Sequence, residues 1–137
     1  MNHLAVGQEA RTSRTFTAAD VAAYRALSGD AGLAFGAADN AATVPGPLLS
    51  GIFSDLLGTQ LPGPGTNWLK QSLRFPAVAR VDEVVTAVVE ITRLRPEKAL
   101  VNLRTTCVTL AGTVVCEGEA LVLVKDSSLG TQMVDKS

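Results

Sequence analysis

The stretch Pro47–Leu57, PLLSGIFSDLL, limits what this chain can fold into more than any other segment. Leu48, Leu49, Ile52, Phe53, Leu56 and Leu57 recur at helical spacing and form a broad apolar stripe. A stripe that wide predicts a helix covered along most of its length by other structure. Pro47 fits the first turn, where its missing N–H is harmless, and Gly58 with the LPGPG run predicts the helix end.

The cover comes from the second half of the chain, where the period changes. TNWLKQSLRF, DEVVTAVVEITRL, KALVNLRTTCVTL and TVVCEGEALVLV are rich in β-branched residues and separated by turn signals. The RPEK (95–98) and AGT (111–113) turns are short enough for antiparallel hairpins. Before the apolar helix, EARTSRTF (9–16) reads as a first strand. Thr17, with Asp20 three residues later, reads as the N-cap of a helix whose Val21, Tyr24 and Leu27 face the core. Gly29 ends that helix, and residues 31–45 read as irregular. The expected fold is α+β, an antiparallel sheet wrapped around the long apolar helix. It forms one domain over residues 1–137, with a core of about 6–125 and a solvated tail at 126–137.

Composition narrows the function classes. The 137 residues are 47% hydrophobic and 18% charged with a net charge of −1. That balance argues against a nucleic-acid or anionic-membrane surface. No apolar run is long enough for a bilayer span, and the N-terminus lacks the pattern of a signal peptide, so a cytoplasmic location is expected. Cys107 and Cys116 flank the AGT turn. A two-residue loop would set them opposite each other and a bulged loop would put them out of register; reduced strand thiols are expected. No phosphate-cradling glycine loop, metal cluster or nucleophile–histidine pair is present, so neither a metal nor another cofactor is expected.

Four segments taken in order carry a family resemblance. They are VGQEARTSRTFTAADVAAYRALSGD, GPLLSGIFSDLLGTQLPGPGTNWLKQSLRF, TAVVEITRL and VNLRTTCVTLAGTVVCEGEALVLV. Over about residues 6–125 the chain resembles the MaoC-like (R)-specific enoyl-CoA hydratases. The resemblance implies a hot-dog fold, a homodimer with sites near the subunit boundary, and an acyl-thioester substrate. In that family an Asp-x-Asn-Pro-x-His sequence positions and deprotonates a water. The matching stretch here is Asp30-Ala31-Gly32-Leu33-Ala34-Phe35, which keeps the Asp and has Phe35 in place of the His. A second family feature, Ile/Val-x-His-Gly-Met, reads Thr43-Val44-Pro45-Gly46-Pro47, so Pro45 stands for that His while the Gly remains. The resemblance makes the Gly46 amide, at a helix N-terminus, the group that polarises the thioester carbonyl. The one histidine, His3, lies in the N-terminal stretch. A base must lie within ~3 Å of its water, and His3 is not expected to supply it.

The remaining candidates are read both ways. Asp30 is either a general acid/base with a pKa raised by an apolar pocket or a turn residue bonded to nearby backbone. Phe35 and Pro45 either shape a pocket for a hydrophobic ligand or fill it. Leu49, Trp68 and Ser72 are the further candidate ligand contacts. Period 2 puts Trp68, Lys70, Ser72 and Arg74 on one strand face and Gln71 on the other. Lys70 and Arg74 are either phosphate contacts or solvated. Asp55 is read as an exposed or interface residue. Asp82-Glu83 replaces the family's usual Gly-Asp and is expected to affect only a turn.

Three functions follow. The first is an enzyme of altered chemistry, a lyase, isomerase or cyclase using Asp30 and the Gly46 amide. Its ligand would be a small apolar acyl or polyketide-like molecule, free or carried by CoA or a carrier protein. The second is a non-catalytic acyl binder or the structural subunit of a heteromeric hydratase, and the third an ordinary (R)-hydratase.

Overall fold

The apolar stripe predicted from the sequence is buried as expected. A computed structural model describes residues 3–28 and 43–124, so the tail, Asp30 and Phe35 lie outside the described residues. The elements run β1 (Glu9–Thr15), α1 (Ala18–Ser28), α2 (Gly46–Thr59), β2 (Thr66–Arg74), β3 (Val84–Arg95), β4 (Leu100–Thr109) and β5 (Val114–Val124). The strands form one antiparallel sheet in the order β1-β3-β4-β5-β2. α2 lies on its inner face, meeting β1, β2, β3 and β5. Leu49, Ile52, Phe53, Leu56 and Leu57 pack there against Val85, Val89, Ile91, Val101, Leu103 and Val122, all essentially inaccessible. Leu48, at the margin of the stripe, is half-buried.

The helix ends differ in part from expectation. Thr17 and Asp20 form a reciprocal cap at the start of α1: Thr17 N–H donates to Asp20 Oδ2 at 2.9 Å and Asp20 N–H to Thr17 Oγ1 at 3.1 Å. Val21 is buried and Tyr24 half-buried, but Leu27 is 91% exposed. At 3.6 residues per turn, Leu27 lies about 120° around the helix from Val21, so an i, i+3, i+6 series drifts off the packed face. Gly58 does not stop α2 but lies within it. The helix closes at the next residues, where the amides of Gln60 and Leu61 both donate to Leu56 O.

Two bulges set which side chains share a face. The β4–β5 loop is Leu110–Gly112, closed by Thr109 N–H to Thr113 O at 2.9 Å with Gly112 at φ 88°. This loop shifts the register by one residue, and a bulge at Val115 shifts it back. Cys107 therefore sits directly opposite Cys116 despite the bulged loop; both thiols are free and buried. In β2, Leu69 is extra between the Trp68–Val122 and Lys70–Leu121 pairs. This overturns the simple alternation. Trp68 shares the inner side with Gln71, and Lys70 and Ser72 face outward. Asp82 has φ 65°, a left-handed turn position of the kind that glycine fills without strain. The glycine that the resemblance implies at this place would have a backbone cause.

Glycines give a paired stability test. A Cβ on Gly118 would lie 1.8 Å from Ser72 O of the paired strand β2, whereas nothing lies within 4 Å of a Cβ at Gly58. Gly118→Ala is expected to cost about 3 kcal/mol and Gly58→Ala to add about 0.5–1 kcal/mol, measured by urea unfolding. Equal effects would contradict the close approach of β2 to Gly118.

Burial pushes the thiol pKa values up, to about 12 for Cys107 and about 11 for Cys116; the paired thiol adds to the first shift and Glu117 to the second. The unfolded chain then releases these protons at lower pH than the folded one. The resulting stabilisation is complete below the ordinary thiol pKa of 9.0. Above it, stability falls with rising pH by up to ~1.4 kcal/mol per pH unit per thiol. The double variant Cys107→Ala/Cys116→Ala should therefore lose less stability than the parent between about pH 8 and about pH 10. Parallel pH profiles would contradict the assignment.

Candidate active site at the start of helix α2

The segment entering α2 is held by the connection between β2 and β3. Val44 N–H donates to Ala79 O at 2.8 Å, and Thr43 forms an antiparallel bridge with Arg80. Pro45 then takes an extended conformation, φ −59° and ψ 143°, and gives the helix no side-chain cap. Pro45 and Pro47 have no N–H, and Leu48 N–H turns back to Pro45 O at 3.1 Å. Gly46 supplies the first amide of the helix, and among the described residues nothing accepts its N–H. Gly46 is nevertheless buried. The first amides of a helix have no acceptor within it, and this one stands at the positive end of a 14-residue helix. The Thr43 hydroxyl, two per cent exposed, is also buried without a partner.

Apolar residues stand around the start of the helix among the described residues. Pro45 is buried and Leu49, one turn on, belongs to the core at 1% exposure. The ring of Phe75, the residue after β2, lies against Gly46: an ideal Cβ on Gly46 would be 2.7 Å from its Cζ and 2.8 Å from its Cε1. Any side chain at 46 would displace that ring. Glycine here thus permits close approach of an aromatic residue as well as leaving the amide open.

Of the candidates read from sequence, the structure brings Pro45, Gly46 and Leu49 together at the head of α2. It separates Trp68 from Ser72. Trp68, 39% exposed, donates its indole N–H to Gln71 Oε1 at 3.1 Å. Gln71 Nε2 in turn donates across β5 to the buried Thr105 hydroxyl at 3.1 Å, a reach allowed by the small Gly118 and Ala120 between them. Ser72 faces the other side, where its hydroxyl accepts from Glu119 N–H at 3.2 Å. Ser72 is thus removed from the face that packs on α2, because the bulge at Leu69 reverses the alternation. Arg74 pairs with Glu117, and Arg14 ties β1 to Asp55 of α2 at 3.0 Å. Outer-face grooves of about 410 and 380 Å³ are lined by Lys70, Ser72, Asn102, Glu119, Arg74 and Arg104 and do not touch the start of α2. His3 is exposed, and its carbonyl accepts from Gln8 Nε2 at 3.2 Å. Sequence reasoning missed Phe75. It stands at the end of a strand with no motif around it, and its contact with Gly46 depends on the path of the β2–β3 connection.

No family model matches the chain. It is 44% identical over 125 residues to an (R)-specific enoyl-CoA hydratase from Rhodospirillum rubrum, covering 86% of each chain. A second (R)-specific enoyl-CoA hydratase, from Aeromonas caviae, is 44% identical over 126 residues, 87% of this chain and 94% of that one. A solved structure, the (R)-hydratase from A. caviae involved in PHA biosynthesis, superposes with a TM-score of 0.83 at 42% identity, covering 91% of this chain and all of that one. The unliganded R-hydratase PhaJ1 from Pseudomonas aeruginosa gives 0.80 at 28% identity, over 92% and 85% of the two chains. With this identity, this coverage and a five-stranded antiparallel sheet packed on α2, the chain belongs to the MaoC-like (R)-specific enoyl-CoA hydratase family and has its hot-dog fold.

Proposed function

We propose that the chain binds an acyl thioester with its carbonyl on the Gly46 N–H and moves a proton with Asp30, as a dehydratase-type lyase or isomerase of altered chemistry. The observation that carries this reading is the buried Gly46 amide without an acceptor among the described residues. A donor fixed at a helix N-terminus in apolar surroundings stabilises negative charge developing on a carbonyl oxygen. The relatives named hydratases supply the substrate class, a 2-enoyl or 3-hydroxyacyl thioester. Pro45 and Phe35 stand where the family carries histidine, so Asp30 is the one proton-transfer group left at the matching positions. A single carboxylate can take a proton from the carbon beside the carbonyl while the electrons move onto the oxygen held by Gly46. When the C–O bond at the next carbon breaks, the same carboxyl returns the proton to the departing hydroxide, which leaves as water. Returned to a more distant carbon instead, it shifts a double bond. Pro45, and Phe35 by its place in the motif, carry apolar side chains where histidines are expected, which favours an apolar acyl or polyketide-like chain, carried by CoA or by a carrier protein.

The chain is further proposed to work as a homodimer formed of one domain per subunit. β1 and β2 are the sheet edges, and β2 carries exposed Leu69. Pairing such an edge with a second copy would cover both the strand and Leu69. A cytoplasmic site of action is part of this reading; among the described residues no helix is long and apolar enough to cross a membrane.

One observation favours a second reading, an ordinary (R)-specific hydratase: the 44% identity to two proteins of that name. Hydration of crotonyl-CoA, followed as loss of enoyl absorbance beside the A. caviae enzyme, separates them. Loss of a general base costs ~10²–10⁴-fold. The expected rate is therefore lower than that of the reference enzyme by that factor, falling to the buffer rate in Asp30→Asn. A rate equal to the reference supports the ordinary hydratase. Acyl-CoA binding without turnover of enoyl or 3-hydroxyacyl thioesters would make the chain a binder or a structural subunit.

A further inference from the structure

We infer that Phe75 is a specificity-determining residue, which selects against acyl groups branched beside the thioester carbonyl; this rests on the Gly46 reading above. The backbone that carries it is anchored close by. Four residues on, Ala79 is buried and its carbonyl accepts from Val44 N–H, which ties the connection after Phe75 to the segment that enters α2. The ring atoms lie 2.7–3.2 Å from where a Cβ on Gly46 would sit, so the ring fills the space alongside the Gly46 Cα. Phe75 is nonetheless 46% exposed, which leaves part of the ring open to a ligand. A carbonyl oxygen bonded to Gly46 N–H places the adjacent acyl carbon within a few ångströms of this ring. A linear acyl chain can lie along the ring, whereas a methyl branch at that carbon competes with it for the same volume.

Calorimetric titration with two saturated, unreactive ligands, butyryl-CoA and 2-methylbutyryl-CoA, tests the inference without requiring turnover. A misplaced methyl group in an apolar site is worth about 10-fold or more in affinity. The parent protein should bind butyryl-CoA tighter than 2-methylbutyryl-CoA by about that factor, and Phe75→Ala should bring the ratio to about 1. Phe75→Leu, which keeps an apolar side chain over α2, should give an intermediate ratio and guards against misfolding of the alanine variant. A ratio unchanged in both variants, or no discrimination by the parent, overturns the role of Phe75 and leaves the thioester reading standing. No binding of either ligand by the parent overturns the thioester reading and this inference with it.

Discussion

Packing of α2 on the inner face of the sheet is the contact on which the rest of the structure depends. Six apolar residues at 48–57 need cover on most sides, and the sheet supplies it by bringing β1, β2, β3 and β5 to one helix. Fully burying such a side chain is worth about 1.5–3 kcal/mol, and five of the six are buried here. The same contact fixes the chemistry. Once the stripe is seated, the helix start falls beside the β2–β3 connection, and the Gly46 amide is enclosed next to Phe75.

Irregularities in the strands carry as much information as their regular parts. The Leu69 bulge turns Trp68 inward with Gln71, where a hydrogen-bonded chain runs from the indole to the buried Thr105. The Val115 bulge cancels the shift made by the β4–β5 loop and sets the two cysteines side by side in the core. Both thiols are held protonated by burial, which makes them packing residues and not nucleophiles.

The architecture was legible because it rests on periodicity. The apolar stripe, the capping pair Thr17–Asp20 and the alternating strands each state their burial locally. Leu27 was misread because three-residue spacing drifts around a helix, and Ser72 because one extra residue reverses a strand. The site was legible only in part. Gly46 carried a motif, flanked by prolines that remove competing amides. Phe75 carried none, since its role comes from a contact between segments nearly 30 residues apart in sequence. Asp30 and Phe35, known from their place in the motif, lie outside the described residues.

The central claim is that a thioester carbonyl accepts the Gly46 N–H. The most direct test is the infrared stretch of carbonyl-labelled butyryl-CoA, compared between water and the bound state by isotope-edited difference spectra. Polarisation by an enclosed amide at a helix N-terminus predicts a stretch lower than in water. A bound ligand whose carbonyl stretch is unchanged or higher than in water would contradict the account.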